Sequence, residues 1–259
     1  MSSDLWVGLG VLVTLFALEG FLPFYLGRER RLVHASRNLG LAIASGALGV
    51  LLAPLLLATF RFGDEAGWGL CHLLGLGSLD GALLSILLFD LWMYAWHRAN
   101  HEIPVLWRFH RVHHTDTAMD CTTALRFHPG EILLSTLANL PVLLAIGMQF
   151  DDFVLYKTLM IAVILFHHSN LAVPERIDQG LRRLIVPPSM HRVHHSVIRA
   201  ETDSNYGTIF SFWDRLFGSF RLRADTRSIR FGTGSFVTER WQGPLRLMAI
   251  PFVREPSDG

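Results

Sequence analysis

Five stretches of this chain are almost wholly apolar, and their lengths predict helices embedded in a bilayer. Residues 5–26 are broken only by Glu19, and at 1.5 Å rise per residue they match a hydrocarbon core of about 30 Å. Residues 39–60, rich in Leu, Ala and Gly, form the second run, and residues 81–96, with Asp90 inside, form the third. Residues 131–150 and 153–166 follow, separated only by Asp151 and Asp152, a spacing that predicts a helical hairpin. The first residues carry no basic cluster and no A-x-A site follows, so residues 5–26 read as a span and not as a signal peptide. Between and after the runs, residues 97–130 and 167–259 are less apolar, rich in Arg and punctuated by Pro and Gly. The expected fold is all-α: an integral-membrane bundle of four to five embedded helices with a helical cap. With no internal repeat and no low-complexity linker, residues 1–259 read as one domain.

Arginine placement predicts which face the cap occupies. Arg28, Arg30, Arg31 and Arg37 lie between the first two runs, whereas Arg61, Asp64 and Glu65 follow the second. The positive-inside rule puts residues 27–37 in the cytosol. Counting crossings brings the cap to the same side and sets Cys71 and Cys121 on opposite faces, so they should not pair. A multi-pass protein results, as in a bacterial inner membrane, with its chemistry on the cytosolic face.

Composition supports this and removes other classes. Hydrophobic residues make up 51% of the 259 positions and charged residues 17%, below the roughly 25% of soluble domains, and the mean hydropathy is +0.34. So apolar a chain is not disordered. A net charge of +1 offers no basic face for a nucleic acid, and two cysteines build neither a disulfide framework nor a Cys-rich metal site.

The unusual count is histidine. There are 13, and eleven lie between His97 and His195. They fall in H-x-x-x-H (His97, His101) and in two copies of H-x-x-H-H (His110, His113, His114 and His191, His194, His195). Positions i, i+3 and i+4 share one helix face, so the first box is expected to offer two imidazoles to one point and each of the others three. His168 and His128 could add more. Eight to ten nitrogens exceed the four ligands of a closed zinc site and suit two metals with four or five each. Imidazole alone does not choose among Fe, Zn, Cu and Ni. His34 and His72 stand apart and read as packing residues. His167 would point about 100° away from His168 on a helix, as a neighbour of the site. His128-Pro-Gly is faintly like a haem-binding motif, but the rest of such a domain is absent.

Together the boxes resemble the fatty acid hydroxylase/sterol desaturase superfamily of membrane oxygenases. The likeness extends to Asp90-x-x-x-Tyr94-x-x-His97, Trp107-x-x-His110, the Thr123–Pro129 stretch, His168-x-Asn170, Pro188-x-Met-His191 and Asn205-Tyr-Gly207 leading to Trp213-Asp-Arg-Leu-Phe-Gly218. The resemblance covers roughly residues 85–222. It implies a centre of two Fe ions, O2 as oxidant and a lipid substrate, fatty acyl or sterol-like, although zinc can occupy such a site in purified samples. On that basis His97, His101, His110, His113, His114, His168, His191, His194 and His195 are expected metal ligands, with His128 a tenth. Arg98, Arg111 and Arg192, inside the boxes, are expected to pair with Asp90, Asp116 or Asp214. Asp90, Asp214, Asn170 and Asn205 are expected to orient the imidazoles. Trp92, Trp96, Trp107 and Trp213 would line a lipid channel or form an interface belt.

Without a Gly-rich dinucleotide fingerprint or clustered cysteines, electrons are expected from an external donor of ferredoxin or cytochrome type. It would dock on the cap, where Arg182, Arg183, Arg221, Arg223, Arg227 and Arg230 supply positive charge. Desaturation and carotenoid-type hydroxylation on the same site are alternatives. A membrane metal-binding or transport protein is another, but transport favours ionisable groups near the bilayer midplane, and here the histidines crowd one face.

Overall fold

The computed structural model describes residues 3–27 and 30–254. Arg28 and the last five residues of the expected cap lie outside them. α1 (Ser3–Phe21) is followed by α2 (Arg31–Ala66), a 36-residue helix with Pro54 inside it. Gly67 ends α2 in the left-handed conformation, with its own N–H on Asp64 O and the N–H of Trp68 on Gly63 O, the paired closure that a C-terminal glycine permits. α3 (Leu70–Leu73) leads to α4 (Ser78–Glu102). Ile103 then adopts an extended conformation, because the ring of Pro104 disfavours helix at the residue before it. Pro104 itself opens α5 (Pro104–His114), where its missing N–H costs nothing.

α6 (Pro129–Ile146) and α7 (Phe150–His168) form the hairpin, joined through Gly147. Gly147 and Gly69 both have positive φ, and a Cβ on Gly69 would lie 2.2 Å from Gly147 N. The α2–α3 turn and the hairpin turn can touch only as glycines. The cap follows with α8 (Glu175–Leu181), α9 (Pro188–His194) and short helices at Arg199–Thr202, Phe212–Leu216 and Pro244–Ala249. Among the described residues there is no strand, only isolated bridges such as Ile185 with Phe210.

Three helical segments are long and apolar enough to cross a membrane: Arg31–Leu73, Ser78–Glu102 and Pro129–Ile146. This is a membrane protein, and its exposed apolar side chains agree: Val50 and Leu51 on α2 are about three-quarters exposed, at 74% and 75%. The expected first and fifth runs differ from the rest. The apolar part of α1, Trp6–Phe21, is shorter, and α7 carries Asp151, Asp152 and Lys157. These two helices pack on each other, through Leu15, Val11, Ile161 and Leu165. Two boundaries also shift. α2 starts well before residue 39, so His34 and Arg37 are helical, and α4 runs past Trp96 to include the first histidine box.

Buried polar groups tie the bundle to the cap. Asp90 on α4 accepts from Tyr156 Oη on α7 (2.8 Å), from Trp213 Nε1 (2.9 Å) and from the N–H groups of Ile209 and Phe210 (3.2 Å each). His34 lies between Asp116 (2.9 Å) and Asp120 (3.0 Å), and so clamps α2 to the chain after α5. Arg126 is fully buried and donates to Val112 O, Thr115 Oγ1, Asn38 Oδ1 and Gln242 Oε1 at 2.7–3.1 Å. Asp116, nearby, compensates its charge.

Removing the Arg126 guanidinium would take the donor from buried Asn38 Oδ1 and Gln242 Oε1 and leave Asp116 without this neighbouring cation, while Val112 O keeps Thr115 Oγ1. R126M is therefore expected to cost about 3–5 kcal/mol, read as a lowered unfolding midpoint by circular dichroism in detergent. R126K, which keeps the charge but not the planar fork, should fall between. A midpoint unchanged in R126M would show that this network contributes nothing to stability.

Candidate metal centre

Two groups of imidazoles lie side by side where the long helices meet the cap. His97, His101, His110, His114 and His194 form one, and His113, His168, His191 and His195 the other; within each group the ligand atoms lie within 4.8 Å of one another. Either could hold a metal ion. The groups adjoin: the rings of His114 and His195 stack at 4.4 Å between centroids.

The boxes do not act as the spacing alone suggests. Each H-x-x-H-H is divided between the groups. On α5, His110 and His114 go to the first and His113 to the second; around α9, His191 and His195 go to the second and His194 to the first. Positions i and i+4 lie about 40° apart around a helix, while adjacent positions diverge by about 100°. The middle histidine therefore reaches across to the neighbouring group, and two short helices serve both groups in opposite senses. The H-x-x-x-H of α4 contributes both its rings to the first group.

Orientation of the rings follows from what their outer nitrogens bind. In the first group, His97 Nδ1 meets Tyr206 O (2.9 Å), His194 Nδ1 meets Ser204 O (2.7 Å), His110 Nδ1 meets Glu131 Oε1 (2.7 Å) and His101 Nδ1 meets Asp203 Oδ1 (3.3 Å). A carbonyl or carboxylate accepts only from a protonated Nδ1, which leaves the lone pair on Nε2. The Nε2 atoms of His97, His101 and His194 are buried and have no hydrogen-bond partner in the protein. In the second group His168 Nδ1 meets Ile164 O at 2.8 Å, and the Nε2 atoms of His113, His168, His191 and His195 meet one another at 2.9–3.2 Å. Lone pairs converging without donors are costly in a buried site unless a cation sits among them. The donor set fits a metal.

Burial also disfavours protonation of rings in both groups. His113, His114, His191 and His195 are held well below the ordinary imidazole value, first by desolvation and then by neighbouring imidazoles. His194 is lowered to about 3, chiefly by burial. Neutral imidazole is the ligating form.

His128 is not brought to either group. It caps α6: Nδ1 accepts from Gly130 N at 2.8 Å, and Nε2 lies 3.2 Å from Met248 O. The Pro-Gly that follows it explains this place, because proline opens the helix and the imidazole satisfies a free N–H of the first turn. His167 is buried and stacks on His191 with centroids 3.8 Å apart. His72 stays apart, near Gln149.

The expected orienting residues stand one step further out. Asp214 accepts from the N–H groups of Tyr206 and Gly207 and from Ser219 Oγ, and burial raises its carboxyl to about 6. Asn205, at positive φ, donates to Met190 O and Arg221 O. Together with Asp90 they hold the segment whose carbonyls, at Ser204 and Tyr206, grip the rings. Asn170 pairs with the backbone of Tyr25. Of the box arginines, Arg98 pairs with an acid other than those expected, Glu102 (2.7 Å). Arg111 donates to Ile250 O and Val253 O, and Arg192 donates to Ser169 O and Leu171 O. Sequence reasoning missed Glu131 and Asp203 as partners of the rings. Glu131 left one signal, an acid in the first turn of an apolar helix.

A cavity of about 390 Å³ opens against this centre. His97, His110, His113, His168 and His191 line it, and Met93, Trp96, Leu125, Met160, Ile161 and Ile164 are among its apolar lining. Of the other tryptophans, Trp92 donates to Asn139, Trp213 to Asp90, and Trp107 packs beside His101 and His114.

Comparison with known proteins agrees with this geometry. Residues 82–219 match the family model described as fatty acid hydroxylase. An alkylglycerol monooxygenase of Danio rerio is 35% identical over 150 residues, covering 55% of this chain and 31% of the relative. The ornithine lipid hydroxylase OlsE of Rhizobium tropici is 29% identical over 174 residues, covering 67% and 50%. A cholesterol 25-hydroxylase of Rattus norvegicus is 25% identical over 168 residues, covering 61% and 52%. The chain thus spans about a third to a half of the length of these relatives. No solved structure matches it. Because the matched segment is more than half of the chain and contains both imidazole groups, this protein belongs to the fatty acid hydroxylase family.

Proposed function

We propose that this chain is a multi-pass membrane oxygenase that hydroxylates a C–H bond of a lipid with O2, at two iron ions. His97, His101, His110, His114 and His194 would hold one ion and His113, His168, His191 and His195 the other. The observation that carries this reading is the pair of adjoining all-imidazole groups, both of which line a cavity of about 390 Å³. Iron, when bound, supplies the change of valence that O2 activation needs and that zinc in the same ligands lacks.

The protein's own part is positioning and exclusion. Glu131, Asp203 and the carbonyls of Ser204, Tyr206 and Ile164 hold five rings with Nε2 inward. The apolar walls of the cavity admit a hydrocarbon and keep bulk water from the reacting carbon. Arg30, Arg31 and Arg37, near the start of α2, support a cytosolic cap. Electrons would reach the cap from a ferredoxin or cytochrome. Arg183, Arg221 and Arg230 are exposed there, while Arg182 is bound to Glu175 and Arg223 to Glu201.

Metal analysis of purified protein tests the ligand assignment. Wild type and H128A are expected to hold about two ions per chain, and H113A and H194A at most about one. An H113A protein that kept the wild-type content would remove His113 from the ligands. Because burial holds His113, His114, His191, His194 and His195 below their usual range, metal content should stay flat between about pH 8 and pH 6 and fall only in stronger acid. Lipid mass spectrometry tests the reaction. Cells expressing wild type should contain a lipid one oxygen atom heavier that is missing with H113A. Loss of two hydrogens in its place would make the reaction a desaturation, and no difference at all would sink the oxygenase proposal.

A further inference from the structure

The cavity wall beside the first imidazole group carries a carboxylate that the metal centre uses only in part. Glu131 is buried at 5% exposure, and its Oε1 accepts from His110 Nδ1. Its Oε2 is also buried and meets no hydrogen-bond donor in the protein. A carboxylate oxygen shut away from water without a donor costs free energy until a donor arrives. Glu131 lines the cavity, so a small turn of its carboxylate would bring Oε2 to a donor on a molecule entering it.

The rest of that wall is polar too. Ser135 and Asn139 follow Glu131 at intervals of four, so the three stand one above another on one face of α6, and all three line the cavity. Ser135 Oγ accepts from the Trp96 indole (2.8 Å) and Asn139 Oδ1 from the Trp92 indole (2.7 Å). α7 lines the cavity with Met160, Ile161 and Ile164, and also with Lys157, whose ammonium meets Met160 Sδ at 3.7 Å. The cavity therefore has hydrocarbon surface and, along α6 and at Lys157, hydrogen-bonding surface. A plain alkyl chain would satisfy the first and leave the second unpaired; a lipid whose polar end enters with it satisfies both.

We infer that Glu131 selects a lipid bearing a hydroxyl or ammonium donor close to the oxidised carbon, accepting from that donor at Oε2 while Oε1 holds His110. This rests on the oxygenase reading and deepens it: oxidation falls near the polar end of the substrate and not at its methyl terminus. Glu131 is a positioning residue for His110 and a specificity residue for the lipid.

The E131Q substitution separates the two roles. Its carbonyl must face the His110 Nδ1–H, which turns the amide N–H groups away and puts a donor where the acceptor was. The test measures equilibrium binding of 1-monopalmitoylglycerol, hexadecylamine and methyl palmitate to detergent-solubilised full-length protein, with metal content determined in parallel. Wild type is expected to bind each of the first two about tenfold tighter than the ester, as a charge-assisted hydrogen bond allows. E131Q should retain its metal and lose most of that preference. A preference equal in E131Q and wild type, or no preference in wild type, overturns the inference; the second outcome does so even if the variant fails to fold. Binding also separates this inference from the reaction: an intact, Glu131-dependent preference in a protein that oxidises no lipid upholds the role of Glu131 and ends the oxygenase reading.

Discussion

The structure depends on one demand: nine imidazole rings must converge with a lone pair facing inward. A neutral histidine has one donor and one acceptor nitrogen, and only a partner on the donor side decides which faces the metal. Much of the cap can be understood as the supply of those partners. Ser204 and Tyr206 give backbone oxygens to His194 and His97. Asn205, between them, is forced into the left-handed region, and its side chain bonds Met190 O and Arg221 O. Asp214 and Asp90 then hold the N–H groups of Tyr206, Gly207, Ile209 and Phe210. This loop is held at its backbone, and its carbonyls set the tautomers of His97 and His194.

Helix geometry explains how few residues this takes. A single turn carrying H-x-x-H-H reaches two centres, because the middle ring points to a different azimuth from the outer pair. Two such turns, one on α5 and one on α9, exchange their middle rings. The arrangement also brings His114 and His195 into stacking contact, so that the two groups share a wall. Displacing either helix would disturb both groups together.

The membrane part and the metal part are joined by charge as well as by packing. Asp90 fastens α4 to α7 and to the cap, and Glu131 lies at the start of α6 with its carboxylate on His110. An acid in an apolar helix costs free energy, and each of these is retained where its hydrogen bonds hold a ring or the segment that holds one. The cavity inherits this polarity on its α6 wall, which is why it is not a simple hydrocarbon slot.

The sequence by itself determined the helical class, the apolar segments and the nine histidines that converge, because hydrophobic period and box spacing are local properties of the chain. It also marked Asp90, Asn205 and Asp214 as important, although not the backbone groups they bind. Tertiary structure decided the rest. It divided each H-x-x-H-H box between two groups, and it sent His128 to cap α6, since a histidine before Pro-Gly can satisfy a helix end without any metal. It chose Glu131 and Asp203 as ring partners over the acids nearer the boxes. It made His34, isolated in sequence, a clamp between Asp116 and Asp120, which approach it only after the chain has folded back. Such choices depend on which groups meet in space across dozens of residues, and no local pattern records that meeting.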